Sequence, residues 1–154
     1  MEQKRLSTWE NTISGCKRAG LDSMCFLYQF SGHPTYSPLT NILFEDIEKG
    51  AYTAVTSTVT VVETFVHIER TGDTLLTAEY EKFFRGLPHF SIIPVDWNLA
   101  RLAVKLRATY SILRTPDALQ IAAALLEDCK VFVTNDRRLA QVRELTILIL
   151  EDYV

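Results

Sequence analysis

The chain has 154 residues, 47% hydrophobic and 23% charged, an ordinary globular composition in the size range of one domain that folds around its own core without disulfides or a structural metal. Its three cysteines, Cys16, Cys25 and Cys129, are odd in number and lack CxxC spacing, and no apolar run approaches a membrane span or a secretory h-region, so the expected setting is soluble, reduced and cytoplasmic. A formal net charge of −3 counts against a polyanionic partner, but local field outweighs net charge, and setting aside the acids gathered below into one site turns the balance positive.

From the N-terminus, residues 1–18 read as an extension, a short helix carrying the partial apolar stripe Leu6, Trp9 and Ile13, ahead of one continuous domain over 19–154. Arg18-Ala19-Gly20-Leu21 is a weak strand by composition, and Ser23 to Tyr28 returns from it as helix or turn. Ser37 to Lys49 is the first clear helix: Ser37 fits the N-cap, Pro38 fits N1, Leu39, Ile42, Leu43 and Ile47 recur at helical spacing, and Gly50 suits C′. A strand, Ala51 to Thr56, follows. Val59, Val61, Val62, Phe65, Val66 and Ile68 are β-formers by propensity. Ser57 and Thr58 nevertheless offer an N-cap, Val59, Val62, Val66 and Glu69 lie at roughly helical intervals, and a parallel strand needs a crossover, so this segment is predicted as helix. Asp73 to Arg85 reads as a helix closed by Gly86 and Pro88, and Phe90 to Val95 as a buried strand built on Ile92, Ile93 and Val95. Asp96 caps a helix running to about Tyr110. Thr115, Pro116 and Asp117 supply the cap, N1 and first-turn acid of the helix Ala118 to Glu127. Lys130 to Thr134 is a strand, Asp136 to Arg143 a short helix and Leu145 to Leu150 a final strand. The alternation predicts an α/β fold, an α/β/α sandwich with a mostly parallel central sheet.

In open parallel sheets the ligand crevice lies beyond the carboxyl ends of the strands. Asp22 follows the first strand, Asp136 follows Val131 to Thr134, Asp117 opens its helix, and Glu63 lies in the second turn of the helix after Ala51 to Thr56. Taken singly, Asp22, Asp117 and Asp136 each read as helix caps. Glu63 sits among Val61, Val62, Phe65 and Val66, where an ionised carboxylate needs a cation or hydrogen-bond partners unless it lies on an exposed stripe.

Four segments carry a resemblance: Leu21-Asp22-Ser23 with Phe26-Leu27-Tyr28 behind it, Thr56 to Glu63, Thr115-Pro116-Asp117 to Ala124, and Val133-Thr134-Asn135-Asp136. In this order and spacing the chain is similar to the PIN domain (PilT N-terminus) family, and within it to the VapC-type ribonuclease toxins. The resemblance implies a metal-dependent endoribonuclease in which Asp22, Glu63, Asp117 and Asp136 surround Mg²⁺ or Mn²⁺, products ending in a 5′-phosphate and a 3′-hydroxyl, an antitoxin protein as partner, and a homodimer. Two features depart from the family: Met24 stands where members often carry Asn, and the residues before the first motif are more numerous.

Hard cations prefer oxygen ligands and keep some of their water, so the four acids suit one or two such ions. Ser23, Thr134 and Asn135 have polar groups suited to orienting a ligand or water, or to capping a turn. Arg114, Arg137 and Arg138 are the candidate phosphate contacts, while Arg101, Lys105 and Arg107 lie on the segment leading to Asp117. Tyr28, Phe30 and Tyr36 can stack bases or pack. His33, His67 and His89 are scattered, and no phosphate-binding loop, dinucleotide fingerprint or serine-hydrolase elbow occurs. The alternative is a PIN-like module that binds RNA or protein without cleaving.

Overall fold

The computed structural model describes residues 1–154. Its helices are α1 (Glu2–Ser14), α2 (Ser23–Ser31), α3 (Ser37–Lys49), α4 (Thr58–Thr71), α5 (Thr74–Gly86), α6 (Trp97–Thr109) and α7 (Thr115–Leu126), and its strands are β1 (Arg18–Leu21), β2 (Thr53–Ser57), β3 (Phe90–Ile93), β4 (Val131–Thr134) and β5 (Thr146–Ile149). All strand pairs are parallel, in the order β3-β2-β1-β4-β5. The chain builds outward from β1 through β2 to β3, then crosses to the other side of β1 to lay down β4 and β5. The topological switch point therefore falls between β1 and β4, the strands that deliver Asp22 and Asp136.

Two apolar clusters cover the two faces of the sheet. On one face, Trp9 and Ile13 of α1, Phe26 of α2, Leu39, Leu43 and Ile47 of α3 and Phe84 of α5 pack together. On the other, Leu99, Ala103 and Leu106 of α6 pack with Ala118, Ile121, Ala122 and Ala123 of α7. The α/β/α sandwich expected from the alternation is the fold observed. No helix is long and apolar enough to cross a membrane, and all three cysteines are free.

The N-terminal helix is not peripheral to this packing. Trp9 is completely buried and donates its indole N–H to the Leu39 carbonyl at 3.0 Å, so α1 is fastened to α3 by both burial and a hydrogen bond.

Several local expectations are corrected. Ser37 and Thr115 are the first helical residues, and Tyr36 and Arg114 occupy the caps ahead of them. β2 pairs only from Thr53, because Tyr52 turns into the core and donates to the Leu43 carbonyl at 3.1 Å. β3 is an edge strand of mixed exposure that ends at Ile93; Pro94 lacks the N–H to extend the ladder, and Val95 is left exposed. The segment after Asp136 is a 3-10 turn over Arg137–Gln141, and the final strand ends at Ile149, one residue before a second 3-10 turn.

The largest correction concerns α4, which is helical as expected but buries the face opposite to the one its valines suggest. Thr60, Thr64 and Ile68 point inward, whereas Val62 and Val66 face solvent. Ser57 holds the N-cap position, but its buried hydroxyl makes no hydrogen bond.

Candidate active site

Each acid is placed by the way its segment leaves the sheet. Asp22 is the extended N-cap of α2 immediately after β1, and Asp136 holds the same role for the 3-10 turn after β4. Asp117 is the third residue of α7, where its carboxylate accepts the Arg114 backbone N–H at 3.0 Å, the reciprocal arm of a capping box. Glu63 is one turn further into α4 and points back toward the end where the other acids converge. All four line a single cavity of about 320 Å³, together with Ser23, Met24, Tyr28, Arg114, Asn135 and Arg137.

Asp22 is nearly inaccessible, and its carboxylate accepts from the Thr134 hydroxyl at 2.5 Å and from the Ser23 hydroxyl at 3.2 Å. Burial pushes its pKa up, the two hydroxyls pull it partly back, and the charge of Asp117 raises it further. Thr134 also accepts the Asp136 backbone N–H at 3.0 Å, so one side chain ties the acids flanking the switch point. Glu63 is raised by burial and then by the charges of Asp22 and Asp117. The opposite holds for Asp136, which is held below the ordinary carboxylate range chiefly by its hydrogen bonds from Arg138.

The cations are unevenly shared. Arg114 reaches Asp117 at 3.3 Å and Asp136 at 3.9 Å, while Arg138 forks onto Asp136 through Nε at 2.9 and 3.1 Å and lies 4.0 Å from Asp117. Neither makes an ion pair with Asp22 or Glu63, and the charge of Arg114 only partly offsets the repulsion on Glu63. As the side chains stand, no three of the chain's His, Cys, Asp and Glu residues form a ready-made cation site. The donor set nevertheless fits a hard divalent cation: all four groups are carboxylates in one cavity, two of them have raised pKa values, and oxygen is the ligand such ions prefer.

The remaining expected residues divide. Ser23 and Thr134 hold Asp22 directly. Asn135 is one step removed, donating to the Tyr28 hydroxyl at 3.0 Å and accepting the Glu151 N–H at 2.9 Å. Arg137 lines the cavity, but its guanidinium is engaged by Asp152 at 2.7 Å and Glu151 at 3.3 Å. Arg107 lies outside the cavity, bracing the turn into α7 by donating to the Leu113 carbonyl at 3.2 Å and to Thr115 at 2.8 Å. Arg101 and Lys105 are exposed on α6.

Sequence reasoning missed a buried polar relay behind Glu63. Gln120 of α7 donates to Glu63 and to the Thr60 hydroxyl, both at 3.0 Å; Thr60 shares a 2.7 Å hydrogen bond with Thr56, whose hydroxyl donates to the Leu21 carbonyl at 2.9 Å. The relay joins α7, α4, β2 and β1 directly beneath the acids. Its only sequence signal is the run of threonines at 56, 60 and 64, the first at the end of β2 and the other two one turn apart on α4.

No curated protein sequence is significantly similar to the chain. Solved structures share its fold. A toxin–antitoxin complex from Klebsiella pneumoniae has a chain 20% identical, with a TM-score of 0.62 over 87% of this chain and 97% of that one. VapBC2 from Rickettsia felis, bound to a DNA fragment from its promoter, matches at 18% identity and a TM-score of 0.65, over 86% and 98% of the two chains. DNA-bound VapBC from Salmonella typhimurium matches at 17% and 0.67, over 87% and 98%. The sequence model of the PIN domain matches residues 20–145, spanning all four carboxylates and most of the sheet that positions them: the chain belongs to the PIN domain family.

Proposed function

We propose that this PIN domain is a metal-dependent endoribonuclease acting as the toxin of a toxin–antitoxin pair, with a small antitoxin protein and a second copy of itself as partners. The observation that carries the reading is the convergence of Asp22, Glu63, Asp117 and Asp136 on one cavity at the switch point, with no ion pair made to Asp22 or Glu63. The toxin role is supported by the fold shared with chains of toxin–antitoxin complexes.

In this mechanism the four carboxylates would hold Mg²⁺ or Mn²⁺, which when bound polarises the phosphodiester and acidifies the attacking water. The chain's own groups set the geometry. Thr134 and Ser23 fix the rotamer of Asp22, and Gln120 fixes that of Glu63, so both are held in place before substrate arrives. Arg114 and Arg138 neutralise Asp117 and Asp136 in the metal-free protein. Both guanidinium groups stand at the cavity's acids, where they would bind phosphate oxygens and offset the charge that develops in the transition state if the carboxylates were held by a cation.

The test is cleavage of RNA by purified protein in Mg²⁺ or Mn²⁺ and its loss in excess chelator, with Asp22→Asn purified in parallel to expose contaminating nuclease. Wild-type activity should exceed the variant's by at least about a hundredfold. Cleavage that survives chelation would sink the mechanism. The forked contact of Arg138 on Asp136 favours a second reading, a module in which Asp136 stays committed to the arginine and the set of four acids is never available together. It predicts RNA binding without cleavage in any divalent metal.

A further inference from the structure

One wall of the acidic cavity is uncharged. Met24 and Tyr28 lie one turn apart on α2, so their side chains share a face, and they are the cavity's apolar lining. Tyr28 belongs to a trio of rings that leads away from the carboxylates. Its centroid is 4.6 Å from that of Tyr36 and 4.9 Å from that of His33, and His33 and Tyr36 are 4.8 Å apart. The trio is assembled from α2, the connection after it and the cap of α3, and all three rings keep part of their surface in solvent. Phe30, two residues from Tyr28, packs against the same core cluster as Tyr28 and Tyr36 but lies outside the cavity lining, stacking on Tyr80 at 3.9 Å and meeting Phe83 and Phe84.

The edges of the trio are polar. Asn135 ties the Tyr28 hydroxyl to the loop that carries Asp136. His33 Nδ1 accepts backbone N–H groups from Thr35 at 3.2 Å and Tyr36 at 3.4 Å, which places the proton of the neutral ring on Nε2. Neither that Nε2–H nor the Tyr36 hydroxyl has a partner within the chain.

We propose that Tyr28, His33 and Tyr36, with Met24 at the cavity edge, form a base-binding shelf beside the carboxylates. A nucleobase adjacent to the phosphate in the cavity stacks on the aromatic faces, with the His33 Nε2–H and the Tyr36 hydroxyl available to its edge. The inference rests on the nuclease reading and adds a subsite to it: part of the affinity for a nucleotide comes from its base, held on these three rings, and not from its phosphate alone.

The test is calorimetric titration of the whole protein, in Mn²⁺, with adenosine 5′-monophosphate and with ribose 5-phosphate, which carry the same phosphate and differ by the base. Wild type should bind the nucleotide about tenfold or more tightly; Tyr28→Leu and Tyr36→Leu should bring the pair within about twofold, and Tyr28→Phe should keep the preference because it keeps the ring. Melting temperatures and their response to Mn²⁺ should stay near wild type in all three variants. Equal affinity of wild type for the two probes, a comparison that needs no variant, overturns the shelf, as does a preference that survives both leucine substitutions. Metal-dependent RNA cleavage without a base preference overturns the shelf and leaves the nuclease reading standing. A base preference that the leucine variants abolish, in a protein that cuts no RNA, supports the shelf and overturns the nuclease reading.

Discussion

Glu63 shows how far a single residue could be read from the sequence. Its apolar neighbours implied that the charge needs a partner, and the structure supplies one, Gln120, from 57 positions away. Asp22, Asp117 and Asp136 were legible because cap positions and strand ends are local features of the chain. Gln120 and Thr60 were not, since their roles exist only once α7 packs against α4. The burial of Glu63, with the repulsion of Asp22 and Asp117 added to it, gives a test with a definite sign. Its folded pKa lies above the ordinary value, so its stabilising contribution is complete below the unfolded value and is lost as pH rises through the folded one. Glu63→Gln should therefore stabilise metal-free protein at neutral pH, by on the order of 1 kcal/mol or less after solvent screening, and so raise its melting temperature, while abolishing cleavage. In paired thermal scans, the gap between variant and wild type should widen with rising pH and close in acid. A gap independent of pH would mean that neither burial nor the neighbouring acids raise the pKa of Glu63. Gln120→Leu removes the partner of a half-buried carboxylate and of a buried hydroxyl, so denaturant unfolding should show a loss of about 1–3 kcal/mol.

Among elements, α4 carries the clearest lesson about what periodicity can and cannot settle. Helical spacing identified it correctly, yet hydrophobicity would have turned its valines inward. The buried face instead presents Thr60 and Thr64, because these hydroxyls have partners there: Thr64 donates to the Thr60 carbonyl at 2.5 Å and Thr60 joins the relay to Gln120. A hydropathy pattern has no means of seeing that a buried hydroxyl is satisfied. β3 was misjudged as buried for a related reason, since edge position depends on strand order and not on the strand's own composition. β1 is weak by composition, and its Gly20 explains why. A Cβ there would lie 2.5 Å from Ala124 Cβ and 2.8 Å from a Phe132 ring carbon, so glycine is what lets α7 sit close on the central strand. Gly20→Ala should cost about 1–3 kcal/mol in equilibrium unfolding as α7 is forced away from the sheet. Because β1 carries Asp22 and α7 carries Asp117, cleavage should fall further than stability alone accounts for. Wild-type stability in this variant would mean that α7 yields without strain.

At the scale of the whole molecule, α/β alternation was enough to predict the layered fold, but not which helices are indispensable. α1, read as an extension, supplies Trp9 and Ile13 to the core, and a partial stripe of three apolar residues does not reveal that their partners wait on α3. The site is likewise a property of the assembled domain, for its acids come from the cap of α2, the second turn of α4, the first turn of α7 and the loop after β4. A cation bound to them would bridge elements on both sides of the switch point, and anything that binds only the folded state stabilises it by mass action, about 2.7 kcal/mol at a hundred times the dissociation constant. Millimolar Mn²⁺ should therefore raise the melting temperature, and Asp117→Asn should lose most of that rise. Arg138→Ala separates the two roles given to the arginines: freed of its guanidinium, Asp136 should bind metal more tightly, so the Mn²⁺ concentration giving half the thermal shift should fall while KM for RNA rises. A half-shift concentration that rises instead would mean Arg138 orients Asp136 for the cation and does not compete with it.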